Sequence, residues 1–435
     1  MNKARLDGFQ MLIVGSVFFI AIGTMMEMMN PLGFTDFQEI YYGTRTAFHH
    51  QNPYQPDDVA AVYRAETGDL VADTGVAHTK RLIIFSGTNL PTTLFLIAPV
   101  AALPWKWAVV TWMSLVGSCF ILACFLVWRL GADTAPRMVG ALIFLILVNS
   151  GVLLMTGNTA GLVISLSVIA VFCFLQNRFV PLAVIGLAIA LAIKPHDAGP
   201  IWLYFVLVGG VQRKRALQSL ALTALIACVA ALWLSHVSPH WLHQMQSNLQ
   251  TTMASGGRDN PGPSTQGGRG FGQIISLEVI LSLFWDNAQF YNLAAYLICG
   301  PLFLLWCIRT FRAGFAPRLI WLGFATIAPL TLLPVYHRTY DARLLLLAVP
   351  ACAALWKEHC ALGRVALFLT LTAIILTGDL FWITLFQITH YSGPSVAFGM
   401  IPVPIVLLIV GVFYLCVYWR GVPTPQTEAE AVAAR

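Results

Sequence analysis

The run Asn30-Pro-Leu-Gly-Phe-Thr-Asp36-Phe-Gln-Glu39-Ile-Tyr-Tyr-Gly43 decides how this chain is read. It follows an apolar stretch at 9–29 and opens a polar, charge-bearing segment that extends to Asn89. The stretch 9–29 is long enough to cross the ~30 Å hydrocarbon layer of a bilayer. The segment 30–89 is too polar to cross it and too long for a plain connector, so it is expected to fold as interfacial helices and to carry the chemistry.

Composition agrees with that first boundary. The chain has 435 residues, 58% hydrophobic and 10% charged, with mean hydropathy +0.75. These values describe an all-α polytopic membrane protein and exclude a soluble enzyme. The basic start, Met1-Asn-Lys-Ala-Arg5, resembles the front of a signal peptide, but no small-residue cleavage site follows, and a retained anchor helix is expected. The nine cysteines lie in apolar runs apart from Cys360, which implies neither a disulfide framework nor a Cys-x-x-Cys metal site. The formal charge of +6 matters through its distribution, and no nucleic-acid partner is expected.

Spanning runs are expected at 9–29, 107–127, 139–155, 159–175, 180–193, 199–211, 216–235, 291–308, 319–335, 344–356, 365–386 and 400–419, twelve in all. Several fall short of the ~20 residues a lone helix needs and require tilt or burial in the bundle. With a cytoplasmic N-terminus, Arg129, Arg137, Arg178, Arg213-Lys-Arg215, Arg309, Arg312, Arg318, Lys357, Arg364 and Arg420 all fall on inner loops. That alternation requires 91–103 and 274–285 to be re-entrant or to lie flat. Residues 1–420 then form one integral-membrane domain, with 30–89 and 236–290 as long outer loops and 421–435 as a disordered cytoplasmic tail. The expected location is the cell (inner, cytoplasmic) membrane.

The same topology sends nine of the ten histidines, Asp36, Glu39, Thr156-Gly157-Asn158, Lys194-Pro-His196-Asp197, the glycine-rich run 255–272 and Tyr336-His337-Arg338-Thr-Tyr-Asp341 to the outer side. An active face there follows. Ionisable groups beside hydrocarbon are costly and tend to be functional. Each also has a plain structural role to play. Asp36 and Glu39 fit a capping box, Lys194 could snorkel, and His337, Arg338 and Asp341 could satisfy one another as a salt-bridge network. Glu27 and Asp379 could hydrogen-bond neighbouring helices. The run 255–272 suits either a cover over a substrate or a tether. His236, His240 and His243 have the spacing of a metal site, and His49-His50 adds candidates, but surface decoration is the simpler reading. No Asp-x-Asp pair lies near Asp36, and no divalent ion is expected.

Five short elements then acquire meaning by their order: Thr35-Asp36-Phe with Tyr41-Tyr-Gly43; Asn52-Pro-Tyr54-Gln-Pro56; Leu90-Pro91 through Ala98-Pro99 to Leu103-Pro104; Thr156-Gly157-Asn158; and Ala192-Ile-Lys194-Pro195. Together they resemble glycosyltransferase family 87, of the GT-C type, over roughly the first two hundred residues. Leu333-Pro-Val-Tyr-His337-Arg338 resembles an outer-loop element of that family loosely. The usual Gly-Gln-x-Asn element reads Thr-Gly-Asn here.

The resemblance implies a GT-C-like bundle and a mannosyltransferase-like enzyme. It would move one sugar, of mannose or pentose class, from a polyprenyl-phosphate donor to a lipid or glycan acceptor on the outer face. Asp36 maps onto the family's catalytic acid and would act as base, with inversion. Lys194, His196 and Arg338 would hold the donor phosphate, which suits charge-assisted contacts where water is sparse. Glu39, Tyr41, Tyr54, Asn158, His337 and Asp341 are further substrate-binding candidates. No cofactor is implied, and no nucleotide-binding motif is present. The competing readings are a secondary transporter for a small anionic solute or lipid, and an outer-face glycan polymerase or ligase. The first lacks a two-half hydropathy repeat, and the second expects its dominant polar loop late in the chain.

Overall fold

In the computed structural model, residues 3–30, 33–68, 75–254, 256–262, 274–358, 360–389 and 401–421 are described. Residues 422–435 of the expected disordered tail and most of the run 255–272 lie outside them. The described chain is almost entirely helical, and its one β-type pairing is an isolated antiparallel bridge between Ile274 and Arg338.

The helices are α1 (Lys3–Met29), α2 (Thr35–Phe48), α3 (Pro56–Thr67), α4 (Gly75–Ile84), α5 (Pro91–Ala101), α6 (Trp105–Gly131), α7 (Pro136–Val148), α8 (Val152–Thr156), α9 (Ala160–Leu175) and α10 (Val180–Ile193). They continue as α11 (Pro195–Val208), α12 (Gly210–Val237), α13 (Trp241–Met253), α14 (Glu278–Leu281), α15 (Ala288–Ala313), α16 (Pro317–Thr331), a 3-10 helix (Thr339–Ala348), α17 (Val349–Glu358), α18 (Cys360–Leu376), α19 (Asp379–Thr389) and α20 (Pro402–Arg420). Seven spans among the described residues are long and apolar enough to cross a membrane: α1, α6, the α7–α8 stretch, α12, α15, the 3-10 helix with α17, and α20. α9, α10, α18 and residues 319–331 of α16 are apolar but shorter.

Helix–helix packing uses small residues where backbones meet. A side chain at Gly140 on α7 would sit 2.6 Å from the Gly8 Cα on α1, so both positions must stay bare for these helices to close. The close approach continues along α1, where Gly15 faces Phe144.

Contacts divide the bundle into two ends. At one, Arg5 pairs with Asp133, Arg137 pairs with Asp7 at 2.8 Å, Arg215 donates to the Phe174 carbonyl, and Arg309 donates to the Tyr418 carbonyl at 2.8 Å. At the other, the Phe34 amide donates to Met155, Thr92 bonds the Ala192 carbonyl, and Asn248 donates to the Tyr54 carbonyl at 2.8 Å. The basic connectors therefore gather at the end opposite the polar segment.

The stretches 91–103 and 274–285 hold no helix long enough to cross a membrane unaided. α5 has 11 residues, about 16 Å at 1.5 Å per residue, roughly half the hydrocarbon thickness. It lies along α2, since Thr44 donates to Leu94 near its start and Tyr41 donates to Leu103 just past its end. In 274–285, Ile275 donates to the His337 carbonyl and Leu277 to that of Leu333, and only the four-residue α14 forms.

Candidate active site

The site is assembled where α2, the α8–α9 corner, the α10–α11 junction, α13 and the segment after α16 meet. Asp36, Glu39, Asn158, Lys194, His196 and Arg338 all line one cavity of about 570 Å3. That volume lies within the ~300–1,000 Å3 of small-molecule sites. Arg258, Asp259, Tyr336 and Tyr340 complete its polar wall.

Asp36 sits in the first turn of α2, behind a Phe34 N-cap with φ of 56°, and no side chain caps the helix. The capping-box reading of Asp36 and Glu39 therefore does not hold. Asp36 instead accepts a 2.8 Å hydrogen bond from the Asn158 amide. Asn158 is aimed by its corner: its Oδ1 accepts from the Ala160 amide at 2.8 Å, which leaves Nδ2 to face the carboxylate. Gly157 makes the corner possible. Its φ is +66°, a side chain there would meet Phe37 Cβ at 2.7 Å, and its carbonyl accepts from the Trp112 indole at 2.7 Å. Phe37 stacks on that same Trp112 ring at 5.2 Å, so the aromatic face of α2 fixes the polar face that carries Asp36.

Glu39, one turn on, is buried and accepts from the Ser86 hydroxyl at 2.8 Å and from both the amide and hydroxyl of Thr88 at 3.0 Å. Burial pushes its carboxyl up in pKa, with nearby Arg258 opposing. The 86–90 segment that supplies these donors is clamped by Asn248, which donates to the Tyr54 and Gly87 carbonyls, and by the Tyr54 hydroxyl, which donates to Asn89.

Lys194 occupies the break between α10 and α11, where Pro195 forces the residue before it out of helix (φ −140°, ψ 81°). It does not snorkel. Its ammonium contacts Asp341, lies 3.3 Å from Asp197 and sits 5.1 Å from the Tyr340 ring. Asp341 also accepts the Arg338 amide at 2.9 Å, which turns the chain into the 3-10 helix. His337 is wholly buried behind the wall. Its Nδ1 lies 2.9 Å from the Val335 carbonyl and its Nε2 3.1 Å from Asp197. Both partners are acceptors, so only the imidazolium satisfies both. Burial pushes the His337 pKa down, but the bond and charge of Asp197 outweigh it and the value is raised.

Arg338 donates to Asp259 at 3.0 Å and bonds the Tyr336 hydroxyl. Asp259 also pairs with Arg258 at 3.0 Å. Burial would raise the Asp259 carboxyl, yet the two guanidiniums hold it at about 2.

No family model, curated protein or solved structure matches this chain.

Several of the residues that the sequence suggests for the site take other places. Tyr41, Tyr54, His337 and Asp341 do not line the cavity: each is buried and supports a residue or segment that does. The lysine and arginines around the cavity are themselves paired with acids. Lys194, Arg258 and Arg338 each have a carboxylate partner, and Asp36, Glu39, Asp197, Asp259 and Asp341 outnumber them. Arg258, Asp259 and Tyr336 line the cavity, although the sequence places them only on the same outer face and assigns them no individual role. The Arg258-Asp259 pair within the glycine-rich run is the available signal, since adjacent opposite charges are unusual in so uncharged a chain.

Among the described residues, the grouping with metal-ligand spacing is not the His236, His240, His243 set but His196, Asp197 and His337, whose ligand atoms lie within 4.8 Å of one another. Both Asp197 oxygens are already engaged, one by His337 and one by Lys194, so an ion there would have to displace them. Asp379, deeper in the bundle, lies 3.5 Å from Arg343 and accepts the Val152 amide at 2.8 Å, a structural role.

Proposed function

We propose that this protein is a GT-C-like membrane glycosyltransferase, resembling family 87, that moves one sugar from a polyprenyl-phosphate donor to a lipid or glycan acceptor. The single observation behind this reading is that Asp36 shares a cavity with Lys194, His196 and Arg338, although they lie far apart in sequence. In this reading Asp36 takes the proton of the acceptor hydroxyl as the oxygen attacks the anomeric carbon. The polyprenyl phosphate leaves on the opposite side, stabilised by cations, and the sugar inverts. Asn158 holds the base in position. No divalent ion is proposed for the step.

The architecture we propose is a twelve-span bundle in the cell (inner) membrane, counting the shorter apolar helices and α11 as tilted or buried crossings. The basic connectors at one end support a cytoplasmic assignment for that end, which would put the cavity on the periplasmic or extracellular side. The test is transfer of labelled sugar by purified protein in nanodiscs from a panel of polyprenyl-phosphate sugars to a lipid-extract acceptor. Label in an acceptor product is expected. Counterflow uptake of an anionic solute with no covalent product would put the transporter reading in its place.

A further inference from the structure

Arg258 and Arg338 come from widely separated segments, yet they converge on a single carboxylate. Asp259 Oδ1 accepts from Arg338 Nη2 at 3.0 Å, from the Tyr336 hydroxyl at 2.8 Å and from Arg258 Nε at 3.1 Å, while Oδ2 accepts from Arg258 Nη2 at 3.0 Å. Two planar guanidinium forks and a phenol around one anionic group form the donor set that phosphate oxygens need. The guanidinium side chains keep 12% and 16% of their surface, and both residues face the cavity. Lys194, by contrast, is held by two carboxylates with 0% and 1% side-chain exposure, so its charge is already spent.

We propose that Arg258 and Arg338 form the anion site of this cavity, and that Asp259 occupies it as an internal stand-in until a phosphate displaces it. The inference deepens the donor-phosphate part of the function proposed above and rests on it for the identity of the ligand. It does not need the transfer step. Displacement exchanges one anion for another between the same arginines, so no unpaired charge is created on the cavity wall. Asp259, 6% exposed, moves outward toward water. The apparent affinity of the empty protein for phosphate is reduced by the fraction of molecules in which Asp259 has left.

The experiment is calorimetric binding of inorganic phosphate and, separately, of a short-chain polyprenyl phosphate to the full chain in nanodiscs. Asp259→Asn should bind about tenfold more tightly than wild type, as expected if the stand-in leaves about one time in ten. Asp259→Glu should stay near wild type, and Arg258→Gln should lose affinity. Tightening for both probes assigns a general phosphate site, and tightening for the lipid probe alone assigns a lipid phosphate. Unchanged or weaker binding in Asp259→Asn overturns the proposal, because Asp259 would then be holding the arginines in place. A second measurement needs no variant. Saturating phosphate on wild type should speed hydrogen exchange in 256–262, where the Asp259 amide donates to Thr252 at 2.9 Å. Slowed or unchanged exchange overturns the displacement. Phosphate binding that follows these rules without any sugar transfer would remove the transferase reading and leave the anion site intact.

Discussion

Replacing Lys194 with alanine separates a structural cation from a ligand-binding one. The sequence alone casts Lys194 as a phosphate contact, whose loss should weaken donor binding more than acceptor binding. The structure gives a different expectation. The Lys194 ammonium serves Asp197 and Asp341, two carboxyls with 0% and 1% side-chain exposure, and is itself only 16% exposed. Deleting one partner of a buried pair costs ~3–5 kcal/mol, because the surviving charge is left unsolvated. Asp197 retains His337 and Asp341 retains the Arg338 amide, so the low end of that range applies. The assay is thermal unfolding in nanodiscs followed by tryptophan fluorescence. Lys194→Ala should melt well below wild type, and Lys194→Ala with Asp341→Asn should recover a large part of the loss, since one orphaned charge is removed. A Lys194→Ala protein that melts like wild type while donor affinity collapses would refute the pairing argument.

The other predictions concern neighbouring groups. Asn158→Ala removes the 2.8 Å bond to Asp36, and because bonds to charged groups contribute ~1.5–3 kcal/mol, turnover should fall about tenfold or more. A kcat equal to wild type would mean that Asn158 does not position the base. Glu278 is raised from 4.5 to about 7 by burial, with Ser276 and His337 opposing. A raised folded value means its stabilising contribution is complete below about pH 4.5 and is lost as pH rises through about 7, at up to ~1.4 kcal/mol per pH unit. Melting of wild type and Glu278→Gln compared from about pH 5 to 8 should show the variant losing less stability as pH rises; parallel profiles would contradict this.

Much of the membrane fold is legible in the sequence because hydrocarbon imposes a length and polarity rule on each helix separately. The run 9–29 and the break at Lys194-Pro195 are local statements. So is the shortness of the helix in 91–103, which begins at Pro91 and stops before Pro104. The convergence of Asp36 with Lys194 and Arg338 could be anticipated because all three fall at helix ends on one side. Pairing could not. Whether Lys194 faces ligand or Asp341 depends on how the 3-10 helix enters the bundle, and ten residues of 3-10 helix are not announced by leucine-rich sequence. Tyr41 illustrates the same limit. Its neighbour Tyr42 and the ring of Trp105 draw it into an aromatic cluster, at 5.1 Å from each, and away from the cavity.

The central claim is that Asp36 is the base of a sugar-transfer reaction in this cavity. Its most direct test is the rate of transfer from a labelled polyprenyl-phosphate sugar by Asp36→Asn protein alongside wild type, with donor binding and melting measured on the same preparations. General-base removal should lower kcat by ~10²–10⁴-fold, with binding and melting retained. Undiminished turnover in Asp36→Asn would contradict the account.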